Sequence, residues 1–132
     1  MKILVVEDDA TSRDVLFSIL SEIGPCDVAA DGEEGLRVFD AALAGGQPYD
    51  LVCLDILLPG MDGQELLRSI RDLEARTRPE GGFEAKVVMI TALSDPKNVV
   101  EAFYRGGATA YVPKPIDRDH LFQVLGKLGV GV

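Results

Sequence analysis

Residues 51–63 read LVCLDILLPGMDG, and the fold turns on them. Leu51, Val52, Cys53 and Leu54 form an apolar run of the length expected for a strand buried on both faces. The run ends on Asp55, and an apolar loop follows that closes on two turn signals, Pro59-Gly60 and Asp62-Gly63. A lone carboxylate where a buried strand meets a loop is costly unless a cation or a positive side chain pairs with it. By itself an Asp at a strand end is more often a cap or a turn residue, so the rest of the chain must decide.

On the N-terminal side, residues 2–6 (KILVV) are a β-branched strand that ends in Glu7-Asp8-Asp9. A helix follows with Val15, Leu16, Ile19, Leu20 and Ile23 on its inner side, stopped by Gly24-Pro25. Residues 27–30 give a weaker second strand. Asp31 caps the next helix, with Glu34 in the box position and Leu36, Phe39 and Leu43 facing inward as far as Gly45-Gly46. On the C-terminal side, Asp62 and Glu65 open a third helix with the stripe Leu66, Leu67, Ile70 and Leu73. Residues 77–85, TRPEGGFEA, read as a polar loop. Residues 86–90 (KVVMI) are a fourth strand ending on Thr91, and Asp95 with Pro96 opens a fourth helix over residues 95–105. Residues 110–112 make a short fifth strand before Pro113-Lys114-Pro115. Asp117 then caps a last helix that buries Leu121, Leu125 and Leu128, with Phe122 at its edge and residues 129–132 as a frayed end. Strands alternating with helices predict an α/β domain over residues 1–132, a doubly wound five-stranded parallel sheet covered on both faces.

Composition narrows the function. The 132 residues suit one packed core, and 47% hydrophobic with 27% charged residues is ordinary for a globular domain. No apolar run approaches ~18 residues, and the N-terminus lacks a secretory pattern, so no membrane association and a cytoplasmic location are expected. Cys26 and Cys53 read as small core residues rather than a disulfide. Thirteen basic against 22 acidic residues give a net charge of −9, which disfavours direct nucleic-acid binding.

The polar residues at strand ends all lie at C-terminal ends: Glu7, Asp8 and Asp9, then Asp55, Thr91 and Lys114. In a parallel sheet those ends share one edge, where ligands of such sheets bind. Converging carboxylates repel, and oxygen donors without His or Cys call for Mg²⁺ rather than zinc. Lys114 adds a fixed positive charge and Thr91 a hydroxyl, which together make a receptor for a phosphoryl group. Asp55, on the central strand, is the candidate nucleophile.

Taken as an ordered set, Val5-Val6-Glu7-Asp8-Asp9, Leu54-Asp55, Leu58-Pro59-Gly60-Met61-Asp62-Gly63, Thr91-Ala92, Tyr111 and Lys114-Pro115 resemble the receiver domain of two-component response regulators, in its single-domain, chemotaxis-type form. The resemblance implies the flavodoxin-like receiver fold with strand order 2-1-3-4-5. It also implies that Asp55 takes a phosphoryl group from a phosphohistidine on a sensor histidine kinase or a histidine phosphotransfer protein. Asp8, Asp55 and the backbone carbonyl of Leu57 would ligate Mg²⁺, with Glu7 contributing directly or through water and Asp9 capping the first helix. Lys114 and Thr91 would hold phosphoryl oxygens, and the Lys114-Pro115 bond would be cis. Thr91 and Tyr111 would be the switch residues, reshaping a face made of the fourth helix, fifth strand and fifth helix. That face would dock a downstream target or a second copy of the chain, with the pairs Val99/Phe103 and Val100/Tyr104 offering more apolar surface than one helix can bury.

Three features depart from the family. The segment from residue 72 to 85 is longer than usual and reads as a tolerated surface loop, and Gly106-Gly107 adds a residue near the end of the fourth helix. Leu57 and Leu93 stand where the family places neighbours of the hydrolytic water, and being apolar they cannot orient it, which predicts a long-lived phosphoaspartate. An aspartate-nucleophile phosphatase is the alternative reading, but it favours an acid two residues after the nucleophile, where Leu57 stands. A flavin module would need a phosphate-binding loop after the first strand, where Glu7-Asp8-Asp9 has the wrong charge. His120, the sole histidine, reads as a solvated side chain.

Overall fold

The structure, a computed structural model, describes residues 1–78, 80–82, 84–92 and 107–130. Five strands, β1 (Ile3–Val6), β2 (Cys26–Ala29), β3 (Leu51–Asp55), β4 (Lys86–Ala92) and β5 (Ala110–Lys114), form one parallel sheet in the order β2-β1-β3-β4-β5. Four helices are described: α1 (Ala10–Leu20), α2 (Gly32–Ala44), α3 (Gly63–Thr77) and α4 (Arg118–Lys127). The fold class and strand order are those expected, that of the flavodoxin-like receiver fold. The helix read over residues 95–105, Leu93 and the two apolar pairs lie outside the described residues.

Alternation along each strand sorts side chains to two faces. Leu4, Val6, Val52, Leu54, Val87 and Met89 meet Phe39 of α2 and Leu66, Leu67 and Ile70 of α3 on one side. Ile3, Val5, Leu51, Cys53, Val88, Ile90 and Val112 meet Leu16, Ile19 and Leu20 of α1 and Leu121 and Leu125 of α4 on the other. β3 is central and all five of its residues are buried, which is why its sequence shows no polar alternation. Burying each large aliphatic side chain contributes roughly 1.5–3 kcal/mol before the entropy cost of ordering it. Cys53 is buried, Cys26 half-buried, and both are free thiols.

Every described helix opens on an aspartate. Asp9, Asp31, Asp62 and Asp117 accept backbone N–H bonds from Ser12, Glu34, Glu65, and Asp119 with His120 respectively. Such a cap is worth ~1 kcal/mol and fixes where the chain leaves the sheet edge.

Several sequence expectations need correction. α1 ends at Leu20, three residues earlier than read, and Val15 is 40% exposed because α1 buries a narrower arc than its apolar spacing suggested. β5 runs on through Pro113 to Lys114, pairing with β4 at Ala92. Val130 is not frayed but 4% exposed: Gly129 takes φ 78°, and the N–H groups of Gly129 and Val130 return to the carbonyls of Gly126 and Leu125. The loop before β4 is fastened at its far end, where Ala85 is buried and both of its backbone polar groups bond to α3 side chains.

Candidate functional site

The C-terminal ends of β1, β3 and β5 bring three charged groups together. Asp55 ends β3 at 6% exposure, its Oδ1 accepting from Leu57 N at 3.0 Å and its Oδ2 from Lys114 Nζ at 2.8 Å. Lys114, at the end of β5, also lies 2.8 Å from Glu7 Oε1. Glu7 is fully buried just past β1, its backbone N–H bonded to Ala29 O at 3.0 Å. The ammonium approaches Glu7 Oε1 off the direction of a hydrogen bond, and among the described residues that oxygen is the buried side-chain atom without one. Asp8 completes the group from the solvent side, and one carboxylate oxygen from each of Glu7, Asp8 and Asp55 lies within 4.8 Å of the others.

Local packing explains the placement of Asp55. A Cβ on Gly63 would collide with the Asp55 carbonyl and with Ile56, so glycine lets the start of α3 press against the strand end. Gly63 N in turn donates to Ile56 O at 2.9 Å, closing the β3–α3 loop.

One ammonium faces three carboxylates, so the site is short of positive charge. Burial pushes the Glu7 carboxyl up to about 7; Lys114 opposes that shift and Asp55 adds to it. Burial acts against the charge on Lys114, but its contacts with Asp55 and Glu7 outweigh this and push the ammonium up to about 12. A cluster of oxygen donors, one of them buried without a hydrogen bond, fits a hard divalent cation such as Mg²⁺.

The remaining predicted residues fall into two groups. Thr91 is 3% exposed on β4 at the same edge, its Oγ1 donating to Ala92 O at 3.1 Å. The Leu57 backbone is tied to Asp55, while its side chain is 60% exposed. Tyr111 is not brought to the site: it lies lower on edge strand β5, opposite Met89, with 44% of its surface exposed. Asp9 caps α1, and bonds from Ser12 hold its carboxyl below the usual range. His120 is exposed in the first turn of α4, and the Lys114-Pro115 bond is cis. Sequence reading passed over Arg13, whose Nη1 donates to Glu7 O at 3.0 Å. The available signal was a cation near the N-terminus of α1, where the helix dipole disfavours it.

No described helix is long and apolar enough to cross a membrane. A family model described as "Response regulator receiver domain" matches residues 3–126. The two-component response regulator ORR41 of Oryza sativa subsp. japonica is 34% identical over 131 residues, covering 96% of this chain and 93% of that protein. The transcriptional regulatory protein DltR of Streptococcus agalactiae is 34% identical over 92% of this chain but only 48% of its own length. The chain therefore spans about half of that regulator. Among solved structures, a chain of the CheX-CheY-BeF3-Mg²⁺ complex from Borrelia burgdorferi superposes with a TM-score of 0.82 at 29% identity, covering 99% of this chain and 90% of that one. Chemotaxis response regulator CheY4 of Vibrio cholerae gives 0.76 at 26% identity, with 96% and 97% covered. A family match across nearly all of the sequence, on a sheet whose strand ends gather these acids, shows that the chain belongs to the response regulator receiver domain family.

Proposed function

We propose that this receiver domain is a phosphoacceptor switch of a two-component or phosphorelay system, with Asp55 as the acceptor. The observation that carries the reading is Asp55 itself, a carboxylate buried at the end of the central strand and tethered to Lys114 across 59 residues of sequence. One Asp55 oxygen attacks the phosphorus of a phosphohistidine on a sensor kinase or a histidine phosphotransfer protein. The O–P bond forms as the N–P bond breaks, and the imidazole nitrogen leaves with the electron pair and is reprotonated. Glu7, Asp8, Asp55 and the Leu57 carbonyl would hold Mg²⁺, which when bound neutralises charge on the transferring group. Lys114 holds a phosphoryl oxygen, and its place at the end of β5, half-buried and anchored by Glu7 and Asp55, sets that charge in position beforehand. The Thr91 hydroxyl turns from Ala92 O toward another.

Output follows from that turn. Movement of Thr91 opens space beside β5 that Tyr111 fills, and the face around β5 and α4 changes shape for a downstream protein or a second copy. The chain is read as a switch and not an enzyme because Leu57, two residues beyond Asp55, offers no acid for turnover of phosphate esters. The same apolar residue leaves water unoriented, so the phosphoaspartate is long-lived; a half-life of seconds in purified protein with Mg²⁺ would contradict that. The reading as a whole is tested with phosphoramidate, a small phosphohistidine surrogate. One phosphoryl group should add by intact mass only with Mg²⁺ present, and steady phosphate release without an adduct would favour the phosphatase instead.

A further inference from the structure

We infer that Arg13 is a positioning residue for the acidic site, fixing the turn that carries Glu7 and Asp8; this rests on the metal reading above. Two carbonyls flank Asp8, and one residue serves both. Arg13 Nη1 donates to Glu7 O at 3.0 Å, and the Arg13 backbone N–H donates to Asp9 O at 2.9 Å. Glu7 N–H is already tied to Ala29 O on β2, so the guanidinium closes the second polar end of the Glu7 peptide. Asp8, exposed and with no side-chain hydrogen bond or ion pair among the described residues, takes its direction from that backbone. The attraction of Arg13 to the exposed Asp9 carboxylate four residues earlier is an i,i+4 pair that does not require the bond to Glu7 O. A cation in the first turn of α1 opposes the dipole, and the cap is already supplied by Asp9. Groups that orient ligands from outside the coordination sphere commonly shift metal affinity by 10–100-fold, and a loosely held hydrated ion belongs at the low end.

Positioning and bare charge predict opposite outcomes. Arg13 is a cation beside a cation site, so its charge alone works against Mg²⁺, and removing it would tighten binding. Its hydrogen bond works the other way. Calorimetric titration of the full chain with MgCl₂ should give a Kd about tenfold weaker for Arg13→Met, which keeps the stem but no donor, than for the wild type. Arg13→Lys, which keeps a donor with nearly the reach of the guanidinium toward Glu7 O, should stay within about twofold. Should the Met variant fail to fold, Arg13→Ala gives the same comparison on the residue of best helix propensity. Binding by the donor-less variant as tight as or tighter than wild type overturns the inference. Equal weakening of both Met and Lys variants does so too, because hydrogen bonding would not then be what matters. Absence of Mg²⁺ binding by the wild type would overturn the metal reading and this inference with it.

Discussion

The two ends of the sheet each bury a carboxylate beside a cation, and they use it differently. At the N-terminal end, α3 carries Glu74, 6% exposed, whose Oε1 accepts from Arg71 at 2.7 Å and whose Oε2 accepts from Ala85 N at 2.7 Å. Arg71 gives three further N–H groups to Ala85 O at 2.9 Å and to Gly107 O at 3.1 and 2.9 Å, and the exposed Glu84 lies 3.8 Å from its Nη1. Each charge there is neutralised by the other and by backbone, and the pair clips the entries to β4 and β5 onto α3. At the C-terminal end one ammonium serves two buried carboxylates, a third stands beside them in solvent, and a buried oxygen is left without a hydrogen bond. A closed network fixes a structure; an open one stores a demand that a ligand can meet.

The contrast predicts its largest effect at the closed end. Arg71→Met leaves Glu74 buried without its cation and two carbonyls without donors, and should lower the unfolding free energy by about 3 kcal/mol in urea melts. Folded variant protein should still accept a phosphoryl group, since nothing at the acidic edge has changed. Loss of acceptance at full stability would break the separation of the two ends.

An intermediate effect of opposite sign belongs to the open end. Glu7 has a folded pKa above its ordinary 4.5, so its contribution is present below pH 4.5 and is lost as pH rises through about 7. Metal-free protein should therefore weaken across that window. A shift of that size is worth at most roughly 3 kcal/mol, and a site open to water on the Asp8 side returns less. Glu7→Gln should flatten the window and be more stable than wild type by about 1–2 kcal/mol at pH 8, with no gain at pH 4. It should also weaken the stabilisation by MgCl₂, which in wild type should grow as pH rises from 5 to 8. A Glu7→Gln variant less stable than wild type at pH 8 without metal would mean that this end is closed after all.

The smallest effect is one neutral hydrogen bond at the closed end. Thr109 Oγ1 accepts from Val87 N at 2.9 Å, and Thr109→Val should cost about 1 kcal/mol by the same melts.

The two ends also differed in how legible they were. Each acid and the lysine at the C-terminal edge stands at or just past the end of a strand, so the apolar runs and the parallel order they imply brought Glu7, Asp8, Asp55, Thr91 and Lys114 to one edge. The groups that meet there, Glu7, Asp55 and Lys114, pair through side chains, and side chains are what a sequence spells. Arg71 and Glu74 were missed because on a helix they look like any solvated i,i+3 pair. Their partners are backbone groups of Ala85 and Gly107, the latter 36 residues on, which no residue identity announces. The same holds for Arg13, bonded to a carbonyl. Val15 failed for a different reason: spacing gives the direction of a side chain, but the width of the buried arc depends on how closely the helix packs on the sheet. Val130 was hidden by the glycines on either side, which read as a loose tail; Gly129 instead makes the helix-ending turn that folds Val130 back.

The central claim is that one carboxylate, Asp55, carries the phosphoryl group, and its most direct test is chemical trapping. Protein treated with phosphoramidate and Mg²⁺ is reduced with borohydride, which converts an acyl phosphate to an alcohol, and the peptides are sequenced by mass spectrometry. Homoserine at position 55 and nowhere else is predicted. Homoserine at Asp8 or any other aspartate, or an undiminished adduct in Asp55→Asn, would contradict it.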